Sequence, residues 1–533
     1  MAETRLQGRP AAPGIGMGQV VLLAPPRAAQ RTAGTHLEEM AALEAAVAAA
    51  LAELRQLAEA QQGDAADMLG FQVAMLEDDT LTEAAFAAIA AGAAADTAWQ
   101  DVLDKEAALY RAGGDETFAA RAADLADMAA RVRHHLAGGG TAERAPPGAV
   151  LVGHDITPSG FLAADFSAGG AIALAEGSAA SHVAMLARAQ GVPMVVGLGP
   201  GVLALNGQVL VDGVAGTVVA GATEATAQDF RARQAALASS EAEAAQAALK
   251  PAITACGTSV KMLVNLGDLS ELSRIDPNIC DGVGLTRTEF LFGAGQALPD
   301  EAAQYAAYAA VLAWAGRRPV TIRTLDAGAD KPIPGLSQAA ESNPFLGLRG
   351  IRLSLAHPDV FRVQLRALAR AAALGPLKIM LPMVALPDEL EAARKMLHEE
   401  VAALHRAGVA AALPPLGIMV EVPAAALALE KFDAAFVSIG SNDLTQYVMA
   451  AARDIGAVAP LIDVRHEAVL RLIRIVVEAA RAKDIEASLC GDAGGDPAAI
   501  PALLGCGLRV LSAAPAAVGR AKLAIGATRL AAT

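Results

Sequence analysis

The spacing of apolar and polar positions changes several times along the chain, and each change predicts a different kind of element. Residues 10–23 open with Pro and Gly and end in Val-Val-Leu-Leu, which predicts a turn and then a strand. From about Thr35 to Leu136 the spacing becomes helical. Met40, Val47 and Leu54 recur every seven residues, flanked by Leu37 and Leu51, as in the seam of a helix hairpin. Turn residues near Gly92 and at Gly113-Gly114 separate the following helices, and Gly138-Gly139-Gly140 closes the block. Strand signals return in runs beginning at Ala149, Ala171, Met194, Gln208 and Gly216. A helical block is therefore inserted into an α/β domain that begins before it and resumes after it. Residues 224–250 are rich in Ala, Glu and Gln, with no Gly or Pro until Pro251, and predict a linker helix.

Beyond the linker, eight short apolar runs begin at Lys261, Gly282, Val320, Ile379, Gly417, Phe436, Ala487 and Arg509, with helix-compatible stretches between most of them. That is the pattern of a (β/α)8 barrel. Arg287, Arg323, Asp326, Glu421, Asn442 and Asp443 follow these runs. Barrel enzymes build their sites at that carboxyl-terminal face.

Composition narrows the classes. A chain of 533 residues is too long for one core and implies two to four domains. Aromatics are only 3% against 54% apolar residues, with Ala in excess, which favours helices and small-residue packing. A net charge of -15 argues against binding nucleic acid or an anionic membrane, while leaving a basic protein partner open. The N-terminus lacks a basic-then-apolar leader, and the Ala-rich runs are too broken by charges, Gly and Pro to insert in a membrane. Four cysteines (Cys256, Cys280, Cys490, Cys506) show no CxxC or zinc spacing, so a reduced cytoplasmic protein is expected.

Four groups of residues carry chemistry. Small residues crowd His182 in Gly177–Arg188, and a helix starting at Ser181 would favour an anion at its N-terminus, although an incidental histidine beside a helix cap would look the same. Arg287, Arg323, Arg349 and Arg352 lie near strand ends, and arginine holds phosphates and carboxylates in two-pronged geometry. One such Arg is commonly a surface ion pair; four point to a small polyanion. Glu421 and Asp443 follow consecutive strands and suit Mg2+ completed by substrate oxygens and water. Cys490, after the seventh strand, is either a small buried residue or a proton donor.

Taken together, the segments SHVAMLAR, GLTRTEFLF, RTLDAGADKP, NPFLGLRGIR, MVEVPAA, IGSNDLTQY and CGD occur in the order found in Enzyme I of the bacterial phosphotransferase system, which the chain closely resembles over nearly its whole length. The resemblance implies an α/β multidomain chain in which a swivelling phosphohistidine domain (1–30 and 142–222) carries an inserted all-α domain (31–141). A linker helix (223–252) would lead to a phosphoenolpyruvate-binding TIM barrel (253–533). It makes His182 the phosphorylated nucleophile and Cys490 the group that protonates the enolate carbon to give pyruvate. Arg287, Arg323 and Arg453 would hold the phosphate, helped by Asn442, with Lys331 in a further active-site segment. Arg349 would hold the carboxylate, Glu421 and Asp443 would bind Mg2+, and Thr157 would orient the imidazole. The inserted helices would dock the histidine phosphocarrier protein HPr, with segments around Met75 and Phe118 in support, and the barrel would form a homodimer.

Some positions depart from that family's pattern. Ala180 stands where a Thr commonly precedes the Ser-His pair, the stretch 450–456 is altered, and the Pro460-Leu-Ile-Asp segment is unusual. The chain ends at Thr533, soon after the eighth strand, where longer members continue into a final helix. Two other readings are a pyruvate phosphate dikinase or phosphoenolpyruvate synthase relative, for which no ATP-binding domain is visible, and a non-catalytic phosphoenolpyruvate sensor. The second would need a lost nucleophile, metal ligand or proton donor, and all are present.

Overall fold

The computed structural model describes residues 3–23, 34–59, 64–112, 116–138, 145–179, 181–292, 298–328, 333, 336, 343–452, 455 and 458–530. They form two compact units, 1–239 and 240–533.

The first unit is built on a sheet of strands β1 (Thr4–Gln7), β2 (Arg9–Ala12), β3 (Ile15–Leu22), β4 (Val150–Gly153), β5 (Ala171–Leu174), β6 (Met194–Val196), β7 (Gln208–Asp212) and β8 (Thr217–Ala220), in the order β1-β8-β7-β3-β4-β5-β6-β2. β3 to β6 run parallel, and the flanking pairs are antiparallel. β1 and β2 are separated by Gly8 alone yet lie at opposite ends of this order, so the chain passes from one edge to the other at that glycine. A Cβ there would sit 2.5 Å from the carbonyl oxygen of Val196, which leaves room for no other residue.

Between β3 and β4 the described residues form five helices, α1 (His36–Glu59), α2 (Asp64–Glu77), α3 (Asp79–Ala90), α4 (Ala95–Ala112) and α5 (Glu116–Leu136), around a core that includes Leu43, Val47, Leu54, Trp99 and Leu125. The α1 seam follows the three-and-four spacing of Leu43, Val47, Ala50 and Leu54; Leu37, in the first turn, is exposed. Glu39 is buried because its carboxylate accepts the backbone N–H of Ala95 at 2.8 Å and so caps α4.

The second unit is the barrel. Strands β10 (Ser259–Leu266), β11 (Val283–Thr286), β12 (Val320–Arg323), β13 (Leu377–Leu381), β14 (Leu416–Val420), β15 (Phe436–Ile439), β16 (Glu486–Leu489) and β17 (Val510–Ala513) are parallel neighbours, and β17 pairs with β10 to close the ring. A short β9 (Ala252–Ile253) pairs antiparallel with β10. Alternation sorts the side chains. Ile322, Ile379, Leu381, Ile418, Val437 and Ile439 pack outward in the large core shared with the helices. Leu285, Met380, Met419, Phe436 and Cys490 form a separate inner cluster. Small residues make space for the large ones: a Cβ on Gly417 would lie 2.5 Å from the Phe436 ring. At the amino-terminal end of the barrel Lys378 pairs with Glu486 at 3.0 Å, Lys261 with Glu486 at 3.5 Å, and the Lys378 ammonium lies 5.0 Å from the centre of the Phe436 ring. A helix (Val518–Ala527) follows the eighth strand.

Residues Glu224–Ala248 form one helix, α8. Arg233, in its first half, pairs with the buried Asp212, and Gln234 donates to the carbonyl of Ile15 at 3.0 Å. At its C-terminal end, the buried ammonium of Lys522 donates to the carbonyls of Ala248, Lys250 and Ile279 at 2.6, 2.8 and 2.8 Å. Among the described residues no helix is long and apolar enough to cross a membrane.

Candidate active site

The alternation that points Met419, Phe436 and Met380 into the barrel also points the next inward positions into its mouth. Two residues beyond Met419 comes Glu421, two beyond Thr321 comes Arg323, and two beyond Ser488 comes Cys490. These line a cleft of about 860 Å³ at the carboxyl-terminal face, together with Arg287, Asp326, Arg349, Asn442 and Asp443. Cations and carboxylates alternate around it. Arg323 pairs with Glu289 at 3.1 Å and with Asp326 at 3.0 Å. Arg349 grips Asp326 with Nη2 at 3.0 Å and Nε at 3.4 Å, and reaches Asp443 with Nη1 at 3.4 Å. Arg287 is exposed on the wall and makes no ion pair among the described residues. The Nε–H of Arg323 is buried without an acceptor among the described residues. An orphaned donor of this kind costs about 1–3 kcal/mol, which an anionic ligand would recover.

Glu421 is buried, and one carboxylate oxygen accepts the N–H of Met383 at 2.6 Å. Met383 holds φ at +58°, a left-handed conformation unusual for a bulky side chain, and that backbone turn aims its amide at the carboxylate. Gly440 leaves room on the other side, since a Cβ there would stand 2.8 Å from Glu421 Oε2. Burial above all, then the charges of Asp326 and Asp443, push the Glu421 carboxyl well above the usual carboxylate range, against the pull of Arg323 and Arg349. This carboxylate is thus short of positive charge. Among the described residues no three His, Cys, Asp or Glu form a ready-made metal cage. Two hard oxygen donors beside anion-binding arginines still fit a divalent cation that keeps water and takes its other ligands from a substrate.

Asn442 is fixed by a two-bond ring: its Nδ2 donates to Asp492 at 2.9 Å, and the Asp492 N–H donates to its Oδ1 at 3.1 Å. Cys490 is buried, and burial pushes its thiol up to about 11, so it carries its proton at neutral pH. Its carbonyl accepts from Asn265 at 2.9 Å, and Asn265 is held in turn by Ser512 at 2.6 Å.

In the first unit, Ser181 caps helix α7 (His182–Gln190), its hydroxyl accepting the Ala184 N–H at 3.2 Å. Thr157 caps α6 (Pro158–Ala163), accepting the Gly160 N–H at 3.1 Å. The His182 side chain, residue 180, Lys331 and Arg453 lie outside the described residues. The structure brings together Arg287, Arg323, Arg349, Glu421, Asn442, Asp443 and Cys490 of the expected set. Asp326 was legible only as a polar strand end, and it turns out to link both buried arginines. Glu289, Met383, Tyr447 and Asp492 went unread. Glu289 and Tyr447 sit inside conspicuous motifs, at strand-end and one-turn spacings that could have flagged them.

Known proteins match this chain along most of its length. Family models of phosphoenolpyruvate-utilising enzymes match residues 7–121 (N-terminal domain), 145–216 (mobile domain) and 241–530 (phosphoenolpyruvate-binding domain). The chain is 37% identical over 520 residues to a phosphoenolpyruvate-protein phosphotransferase of Geobacillus stearothermophilus, covering 95% of this chain and 90% of that one. It is 36% identical over 546 residues to the protein of the same name from Haloferax volcanii, covering 99% and 95%. A multiphosphoryl transfer protein of Rhodobacter capsulatus is 42% identical over 451 residues, covering 83% of this chain; the chain spans only 54% of that longer protein. Among solved structures, an Enzyme I protein studied by NMR aligns with TM-score 0.36 at 25% identity, covering 44% of this chain and 99% of that one.

Proposed function

Because the chain belongs to the phosphoenolpyruvate-protein phosphotransferases, a family of phosphoenolpyruvate-utilising enzymes, we propose that it moves the phosphoryl group of phosphoenolpyruvate onto His182, releasing pyruvate, and then onto a histidine of HPr. This is the first step of phosphotransfer-driven sugar uptake. The observation that carries the reading is the ring of arginines and carboxylates over a protonated, buried Cys490 at the barrel mouth.

In the proposed reaction Arg323, Arg287 and Arg453 hold the phosphate, with Asn442 and Lys331 beside it, and Arg349 holds the carboxylate. Their charges neutralise the equatorial oxygens and the departing enolate. Glu421 and Asp443 would hold Mg2+, which would supply further positive charge to those oxygens. A neutral ring nitrogen of His182, oriented by Thr157, attacks phosphorus as the bond to the enol oxygen breaks. The enolate then takes the Cys490 proton at carbon, and solvent reprotonates the thiolate. The same reading keeps residues 31–141 as the HPr-docking domain and the barrel as the dimer-forming part.

Mass spectrometry of the full chain with phosphoenolpyruvate and Mg2+, with peptide mapping of acid-labile phosphate, tests it. One phosphate on the His182 peptide is expected, chased off by HPr and absent from His182→Ala. Phosphate on another peptide, or none despite ligand binding, would overturn it. Cys490→Ala should still bind phosphoenolpyruvate but release pyruvate at least about a hundredfold more slowly, in line with the loss of a general acid.

A further inference from the structure

We propose that Tyr447 is a positioning residue for the substrate carboxylate, fixing which edge of the Arg349 guanidinium faces the cleft. The inference rests on reading Arg349 as the holder of that carboxylate.

Tyr447 and Asp443 lie one turn apart on the helix Ser441–Met449 and so share a face. Both reach the same nitrogen, Nη1 of Arg349, at 3.2 Å for the phenol oxygen and 3.4 Å for Asp443 Oδ1. A phenol has one proton, and Tyr447 donates it to the carbonyl of Phe345 at 2.6 Å, so toward Arg349 its oxygen acts as an acceptor. The opposite edge of the guanidinium, Nε and Nη2, is gripped by Asp326. Among the described residues four of the five N–H donors are thus committed, and one on Nη2 has no partner.

The acceptors on Nη1 differ in kind. Asp443 is charged and cancels the charge of Arg349. Tyr447 is neutral: burial above all pushes its hydroxyl up to about 12, so it accepts an N–H while leaving the positive charge intact. Were Asp443 to hold a divalent cation, the Nη1–H it now takes would be freed beside the remaining Nη2–H, and those two donors would make the planar fork that fits a carboxylate. Tyr447 would keep the plane of the fork fixed with Asp443 withdrawn. Through the Phe345 carbonyl the same hydroxyl also secures the segment that leads into Arg349.

Tyr447→Phe removes the oxygen and keeps the ring. The readout is single-turnover formation of phosphoenzyme by the full chain as phosphoenolpyruvate is varied. The half-saturating concentration should rise about tenfold while the limiting rate changes less than about twofold, the pattern of lost ground-state positioning. In an Arg349→Lys background, which lacks the fork, Tyr447→Phe should add nothing to the half-saturating concentration. Several results would overturn the inference, and they are distinguishable. An Arg349→Lys chain with unchanged half-saturation removes the role of Arg349 and with it that of Tyr447. A raised value in Arg349→Lys but not in Tyr447→Phe removes Tyr447 alone. An equal factor in both backgrounds shows that Tyr447 does not act through Arg349.

Discussion

At Cys490 burial decides the chemistry. The thiol's ordinary value of 9.0 rises to about 11 in the folded chain, so the proton is held more tightly folded than unfolded. Its contribution to stability is therefore complete below pH 9 and is lost as pH climbs through about 11. The ultraviolet difference titration between the unaltered chain and Cys490→Ala should show no thiolate step before pH 9; a step complete below pH 7 would remove the thiol as a proton donor. Gly440 is a second residue-scale constraint. A methyl there meets Glu421 Oε2 at 2.8 Å and Glu421 Cβ and Met419 Cγ at 3.0 Å. Gly440→Ala should cost about 1–3 kcal/mol in thermal unfolding and raise the half-saturating Mg2+ concentration; an unchanged value for both would show that Glu421 has slack. Arg287, Arg323, Arg349, Glu421 and Asp443 were legible because strand-end arginines and carboxylates stand out in an Ala-rich chain, whereas Glu289 and Asp492, which act by holding Arg323 and Asn442, were not. Met383 was not, since its contribution is a backbone N–H in a conformation that residue type does not disclose.

Elements tell a similar story. β12 and β15 coincide with the expected runs because all four positions of each are buried and Val320, Ile322, Phe436, Val437 and Ile439 supply the apolar signal, broken only by Thr321, Arg323 and Ser438. β1 gave no signal, for its pattern is almost wholly exposed and its pairing to β8 comes from backbone hydrogen bonding at a sheet edge. The heptad reading of α1 found the helix but misplaced Leu37, because a bundle needs a wider stripe than a two-helix seam. Lys522 was silent too. Its ammonium satisfies three carbonyls around the end of α8, and burial pulls its pKa below the ordinary lysine value. Lys522→Met, which keeps the stem and removes the donors, should destabilise the barrel unit by about 2 kcal/mol in denaturant titration. No loss would show that solvent replaces the ammonium there.

The whole molecule comprises two compact units with separate cores, 1–239 and 240–533. Calorimetry should therefore resolve two transitions rather than one. Since the cleft lies wholly in the second unit, phosphoenolpyruvate added to His182→Ala at about a hundred times its dissociation constant should stabilise one transition by about 2.7 kcal/mol and leave the other in place. A common shift of both would mean that the units melt as one. The barrel's own interior carries a last consequence. Phe436, the inner methionines and the Lys378–Glu486–Lys261 pairs fill it from below, so among the described residues the cleft does not run on through the barrel. Under the proposed reaction, phosphoenolpyruvate and pyruvate would share the threshold at the barrel mouth, so each product molecule would have to leave before the next substrate enters.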